Sequence, residues 1–547
     1  MTLDGSIDNK AGTLDRALKE IAALPAGGRL RVSSLYGSSR AFFLAATFKA
    51  LNRPVLAVLP EDGAAAEFAD DLRFFLGADA VRLFPSTEVL PFEAQSAHQE
   101  LTASRVEILH SLSDPAKKFI TVVSAQTLMQ RVMPKEGLAG AEVTLSKGGT
   151  YPHEELVATL AGLGFARMSM VEERGEMSIR GAILDIFPPG FDNPLRLEFF
   201  GDEVESIRAF DLSTQRSLGA LGEVRILPAG EVALGGHTRL AARERLIERA
   251  EELDLPRSAW EALSTGLRDG VGIAGREMLL PLFYGKLDAV FDYLDLSTAV
   301  ALIDAPSAEA SFERFEGEVK NEAERFLTRR HFFVRPEELY LSAKEARAQI
   351  DRFAVVEVES FKSGGIELSA GSNLDVKQDM ALRKGREFAL KPLVDRIKEG
   401  VDENRRVYLT VHNKGQADRT KELLEAYGLK PAVLKGADIL DRKAAEFALA
   451  LGSLSTGFNA PAERLVIISE EEIFGERVKR RAPSARKLDA FLLELQDLKE
   501  GDYIVHAHHG IGLYRGMKRV GVDGIENDFL LLEYRDADKL YVPVWRM

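Results

Sequence analysis

The sequence predicts an α/β multidomain protein with two β-rich modules, and three observations carry that expectation. Short apolar runs alternate with helical periodicity in residues 1–127 and again in 341–478, the pattern of parallel sheets with helical crossovers. Between these segments, Arg167 to Glu203 reads as a small antiparallel unit. In residues 488–547, four short strands are separated by turn residues, as in a small β-barrel. A chain of 547 residues has material for roughly three to five domains.

Composition narrows the partners. The chain is 46% hydrophobic and 29% charged, ordinary for a globular protein, with a formal net charge of -14 and a pI near 5.4. Such a surface as a whole repels a phosphate backbone, so nucleic acid is not the default partner. The absence of cysteine excludes disulfides and thiolate metal sites and suits a reducing compartment. No apolar run approaches the ~20 residues of a membrane span, and the acidic, alanine-rich start has no signal pattern. A cytoplasmic protein with no membrane partner is expected.

In the first segment, Leu30 to Ser33, Val55 to Leu59 and Phe119 to Val123 read as strands, with helices at Ala41 to Leu51 and Ala64 to Leu76. The turn after the first strand is where a phosphate-binding loop would lie. Such a loop needs G-x-x-x-x-G-K-[ST]: glycines that let amides wrap phosphate, a lysine for its charge, and a hydroxyl for magnesium. This chain places Ser34, Gly37, Ser39, Arg40 and Ala41 in that register. Gly37 and a cation remain, but Ser39 replaces a glycine and Ala41 has no oxygen for a metal. The expectation is a degenerate nucleotide site.

The antiparallel unit follows a helix with Pro152 in its first turn and Leu156, Leu160 and Leu163 on one face. Ile179 to Ile186 and Leu195 to Phe200 read as its strands, joined by the Pro188 to Pro194 loop. Alternation sets Ser178, Arg180 and Ala182 on one face, with Arg196 and Glu198 likewise opposed to Leu195, Leu197 and Phe199. Guanidinium and carboxylate groups gathered on one sheet face make a candidate protein-docking surface, the alternative being an ordinary solvated face.

Farther on, Ala299 to Asp304 ends a strand where a helicase-type ATPase carries Asp-Glu, the first for magnesium and the second for the attacking water. Here the pair is Asp304-Ala305, and Ala305 polarises nothing. In 341–478, Val407 to Val411 and Leu465 to Ser469 read as strands and Gly415 to Tyr427 as a helix. Glu470 to Glu472 read as a solvated acidic turn, since adjacent carboxylates splay and lack a partner cluster. The basic stretch Glu476 to Lys487 reads as a linker, centred on 479–487. The last strands are Tyr503 to His506, Ile511 to Arg515, Phe529 to Tyr534 and Leu540 to Val544. His506 and His508 have no third ligand in view, so no metal site is expected.

Two stretches resemble known families. Arg180-Gly181 to Pro188 followed by Arg196 to Glu203, RGAILDIFP and RLEFFGDE, resembles the UvrA-binding domain of the excision-repair UvrB family. It is more similar still to the copy in bacterial transcription-repair coupling factors. The resemblance implies UvrA contacts at Arg167, Arg180, Arg196 and Glu198, with Phe187 as an apolar neighbour. Ser178 departs from it, standing where UvrB has arginine. GDYIVHAHHGIGLYRG resembles the RNA-polymerase-interacting module shared by coupling factors and CarD-type regulators, a Tudor-like barrel. That implies edge-strand pairing with the polymerase β subunit at Val505, His506, Ala507 and Ile511.

The implied domains are a UvrB-like, degenerate helicase fold in 1–127 and 213–340, with the UvrA-binding domain at 128–212 inserted. They continue with an α/β domain at 341–478, the linker at 479–487 and the polymerase-interacting barrel at 488–547. The family's ATP and magnesium belong to a translocase motor, which also carries the main DNA contact. No P-loop motif occurs in these 547 residues, so no cofactor is expected in this portion. The resulting expectation is a noncatalytic adaptor of transcription-coupled repair. A weak ATPase and a CarD-like regulator with a relic UvrB-like half stay open as alternatives.

Overall fold

A computed structural model describes residues 13–89, 92, 96–232, 236–269, 273, 275–383, 390–441, 443–474, 501, 503–506, 510–522, 525–533 and 539–543. Two compact units divide the chain at 477/478.

The first unit is built on a seven-stranded parallel sheet. Its strands run Ile366–Glu367, Arg29–Ser33, Ala354–Val358, Ala299–Ile303, Val55–Leu59, Ile120–Ser124 and Val81–Leu83 across the sheet. Val55–Leu59, Ile120–Ser124, Ala299–Ile303 and Ala354–Val358 are buried throughout, as expected of strands covered on both faces. The helices Ser39–Leu51 and Asp62–Leu76 stop where the sequence dictates. Asn52 takes the left-handed conformation after the first, and Gly77, at φ +85°, follows the second.

Ala354–Val358 corrects the expected boundary at 340, since it pairs with Arg29–Ser33 on one side and Ala299–Ile303 on the other. A buried parallel strand shows no local sign of the sheet it joins, and its place in the sequence groups it with the following domain.

The inserted module is a six-stranded sheet. Ser217–Leu221, Glu203–Phe210, Leu195–Phe200, Ile183–Ile186 and Glu176–Arg180 are antiparallel neighbours, and Ala166–Arg167 adds a parallel edge. Val143–Ser146 pairs with Glu223–Ile226, so the module extends past the expected limit of 212. The single strand expected from Ile179 to Ile186 is two strands. The chain reverses at Gly181 and Ala182, with Gly181 at φ +60°, a conformation that glycine adopts without steric cost in two-residue hairpins. Leu184, Ile186, Leu195, Leu197 and Ile207 line the buried face with Leu156 and Leu160 of the preceding helix.

A third, five-stranded sheet runs Ala432–Lys435, Phe447–Leu451, Arg406–Val411, Leu465–Ile468 and Phe458–Ala460, the last antiparallel. It packs onto the first domain's helices, sharing a core in which Phe42 meets Phe75 and Phe458 at centroid distances of 5.6 and 5.7 Å. The expected solvated turn at Glu470 to Glu472 is a correction as well. Glu472 is buried and accepts from the Ser469 amide at 2.9 Å, and Glu470 receives Gln416 Nε2 at 3.1 Å and lies 2.8 Å from His412 Nδ1. Among the described residues no cluster of three or more His, Asp or Glu side chains is placed to hold a metal ion. No described helix is long and apolar enough to cross a membrane.

The second unit is a four-stranded antiparallel meander, Tyr503–His506, Gly510–Val522, Ile525–Glu533 and Lys539–Pro543. Among the described residues the first and last of these strands lie at the sheet's edges. The middle hairpin is longer than its sequence pattern suggests, because pairing continues from Met517 to Val522 through residues with little apolar alternation. The linker at 479–487 lies outside the described residues.

Candidate protein-docking site

The polar face of the inserted sheet is fixed by strand register. Ser178 is opposite Asp185, Asp185 opposite Arg196, and Arg196 opposite Arg208, so four strands contribute one transverse row. The next row holds Arg180, Ile183, Glu198 and Ser206. Because side chains alternate, Leu195, Leu197 and Phe199 are buried on the other side while Arg196 and Glu198 stand on this one.

Asp185 organises the row. It is only 2% exposed, and a buried carboxylate of this kind is stable only when paired. Arg196 donates from Nε to Asp185 Oδ1 at 2.6 Å and from Nη2 to Oδ2 at 2.9 Å, a two-point bond that neutral donors do not match. Arg180 Nη2 donates to the same Oδ2 at 2.6 Å. Arg196 is held further by Gln215 Oε1 at 3.2 Å and by the Phe210 ring, whose centroid is 4.5 Å from its guanidinium carbon. The Asp185 hydrogen bonds raise the Arg196 pKa above its ordinary value, against the opposing effect of burial. Beside them, Glu198 accepts from Ser206 Oγ at 2.7 Å and from Arg208 Nη2. The Ser206 bond, with Arg208 adding to it, holds the Glu198 carboxyl below the usual range.

The site residues expected from sequence divide accordingly. Arg180, Arg196 and Glu198 share the face. Arg167 lies apart, exposed on the edge strand in register with Met177 of the buried face. Phe187, the expected apolar neighbour, is buried, with the Arg174 guanidinium carbon 5.2 Å from its ring centroid. Ser178 is also buried and donates to the Ser169 carbonyl at 2.8 Å. Asp185 and Arg208 escaped the sequence reading. The available signal was an acidic residue between Leu184 and Ile186 inside a strand, where charge is rarely tolerated without a partner.

The loop in phosphate-binding register has a different occupant. Gly37, at φ +56°, lies so close to the third sheet's domain that an added Cβ would stand 3.1 Å from the Thr456 side chain. Ser38 Oγ donates to Asp71 Oδ2 at 2.7 Å, and Asp71 also accepts from the Ser455 amide and hydroxyl at 2.8 and 2.7 Å. Ser39 and Ala41 are buried. Arg40 is ion-paired with Asp304, which stands between its strand and the next helix in the left-handed conformation at φ +51° and accepts from Ser360 Oγ at 2.7 Å. Ala305 is buried at the start of the next helix.

In the second unit, Val505 pairs with Ile511 and His506 with Gly510, and Tyr503–His506 is an edge strand of the described sheet. Ala507 lies outside the described residues.

These folds correspond to three known domain classes. Residues 143–231 match the UvrB interaction domain, 402–473 the MFD D3 domain, and 498–547 the CarD-like/TRCF RID domain. The docking face and the edge-strand sheet thus fall within the first and the last. Across nearly the whole chain the similarity is to transcription-repair-coupling factors. The one from Myxococcus xanthus is 34% identical over 549 residues, covering 96% of this chain and 45% of the relative. Those from Haemophilus influenzae and Escherichia coli are 30% and 28% identical, covering 86% and 95% of this chain and 40% and 44% of their own lengths. The chain spans less than half the length of these curated relatives.

Proposed function

We propose that this chain is an adaptor of transcription-coupled nucleotide excision repair. It docks RNA polymerase, at the β subunit, through the edge strand Tyr503–His506 and brings UvrA through the Arg180, Arg196 and Glu198 face. The observation that carries the reading is this face. Three arginines and two carboxylates, braced to one another across four strands, lie within the residues that match a UvrB interaction domain. Joining two docking modules in one chain raises the local concentration of one partner beside the other without further chemistry.

No nucleotide chemistry is assigned to the Ser34 to Ala41 turn. Arg40 and Asp304, which would face phosphate and magnesium, neutralise each other, and Ser455 and Thr456 cover the turn. Likewise no DNA contact or translocation is assigned to these residues.

The test is the affinity of this chain for purified UvrA beside Arg180→Glu and Arg196→Glu, each checked for folding by thermal melt. Reversing an interfacial charge should weaken binding by about tenfold or more. A folded parent that does not bind UvrA refutes the proposal for this face.

A further inference from the structure

Arg180 and Arg196 share Asp185 but stand in different surroundings. The Arg196 side chain is 21% exposed, with Nε and Nη2 on Asp185, Nη2 also on Gln215, and its plane over Phe210. The Arg180 side chain is 52% exposed and, among the described residues, makes one hydrogen bond, from Nη2 to Asp185 at 2.6 Å. Among the described residues the remaining guanidinium nitrogens of Arg180 have no partner and are open to one on another protein, while those of Arg196 are largely engaged within the sheet. Asp185 itself cannot reach a partner, being 2% exposed.

Resting on the docking reading above, we propose that Asp185 is the positioning residue of this face. Its carboxylate locks Arg196 as an internal strut and holds one corner of Arg180, so that the free edge of that guanidinium is presented to a carboxylate on the partner protein. A guanidinium has a fixed fork of donors, and fixing one corner orients the others. Ordering that side chain before encounter lowers the entropy lost on binding. The partner surface is acidic. With three arginines and two carboxylates, the five residues carry one excess positive charge, and the cation that remains most open is Arg180.

The experiment measures association and dissociation rates for purified UvrA with the parent, Asp185→Asn, Arg180→Ala, Arg180→Lys, the Asp185→Asn/Arg180→Ala double variant and Arg196→Glu. Asp185→Asn is expected to speed dissociation by roughly tenfold while association stays the same or rises, because removing an anion makes the face more positive. A sheet that merely unfolds would lower the active fraction instead. Arg180→Ala should cost far less in the Asp185→Asn background than in the parent, since the orientation is already lost. Arg180→Lys, at a half-exposed position that does not threaten folding, should bind nearly as poorly as Arg180→Ala, because a lysine keeps charge but not the fork. Parent-like dissociation for folded Asp185→Asn, full additivity in the double variant, or parent-like binding by Arg180→Lys would each overturn the positioning role. Parent-like binding by Arg196→Glu and Arg180→Ala together would remove the docking reading, and this proposal with it.

Discussion

Ser38 Oγ donates to the Asp71 carboxylate at 2.7 Å, and through that carboxylate the turn in phosphate-binding register is tied to Ser455 of the third sheet's domain. Asp71 is 4% exposed, and burial outweighs its hydrogen bonds, raising its pKa from 3.8 to about 6. The folded value lies above the unfolded one. The protonated form is therefore favoured by folding, and the associated stability is full below pH 3.8 and lost as pH rises through 6. On that difference the chain should lose up to about 3 kcal/mol at this group between those limits. Asp71→Asn, which stays neutral, should flatten this part of the pH dependence in urea unfolding. A parent-to-variant difference that does not change between pH 4 and 7.5 would refute the assignment.

Gly37 should not accept a side chain. Its positive φ and the Thr456 side chain beside its missing Cβ both oppose alanine, so Gly37→Ala should destabilise by about 1–2 kcal/mol or more. Denaturant unfolding followed at the first unit measures it.

Magnesium and ATP should show no saturable binding to this chain in titration calorimetry, because Arg40 and Asp304 are paired with each other. Saturable micromolar binding that disappears in Arg40→Ala would establish the weak-ATPase alternative instead.

Arg196 and Arg180 should separate in stability. Arg196→Ala removes the two-point bond and leaves the buried Asp185 with one partial partner, a loss of about 3 kcal/mol by the precedent of broken buried pairs. Arg180→Ala removes one bond from a half-exposed side chain and should cost less than about 1 kcal/mol. Paired thermal melts decide it, and equal losses would show that the two arginines are equivalent.

In the second unit, Ala507→Arg should abolish RNA polymerase binding in a pull-down and leave UvrA affinity unchanged. Loss of both activities would indicate unfolding instead.

Much of the fold was legible because its signals are local. The buried runs Val55–Leu59 and Ala299–Ile303 and the helices Ser39–Leu51 and Asp62–Leu76 fall within two residues of their expected positions, where apolar pattern and terminating residues agree. The reversal at Gly181 was missed because Ile179 to Ile186 is apolar enough to read as continuous. The buried Arg105 and Glu231 pair, with Nε to Oε1 at 2.5 Å, was invisible because its partners are 126 residues apart.

The sequence by itself sets Arg196 and Glu198 opposite Leu195, Leu197 and Phe199, since alternation along a single strand is a property of the chain. It also determined that the phosphate-binding turn lacks its lysine and hydroxyl, since those are identities. Tertiary structure alone decided that Asp185 joins Arg180 to Arg196, that Ala354–Val358 completes the first sheet, and that Ser455 closes over Ser38. Each of these depends on strand register or domain packing, and those are set by the summed burial of many distant residues rather than by any local pattern.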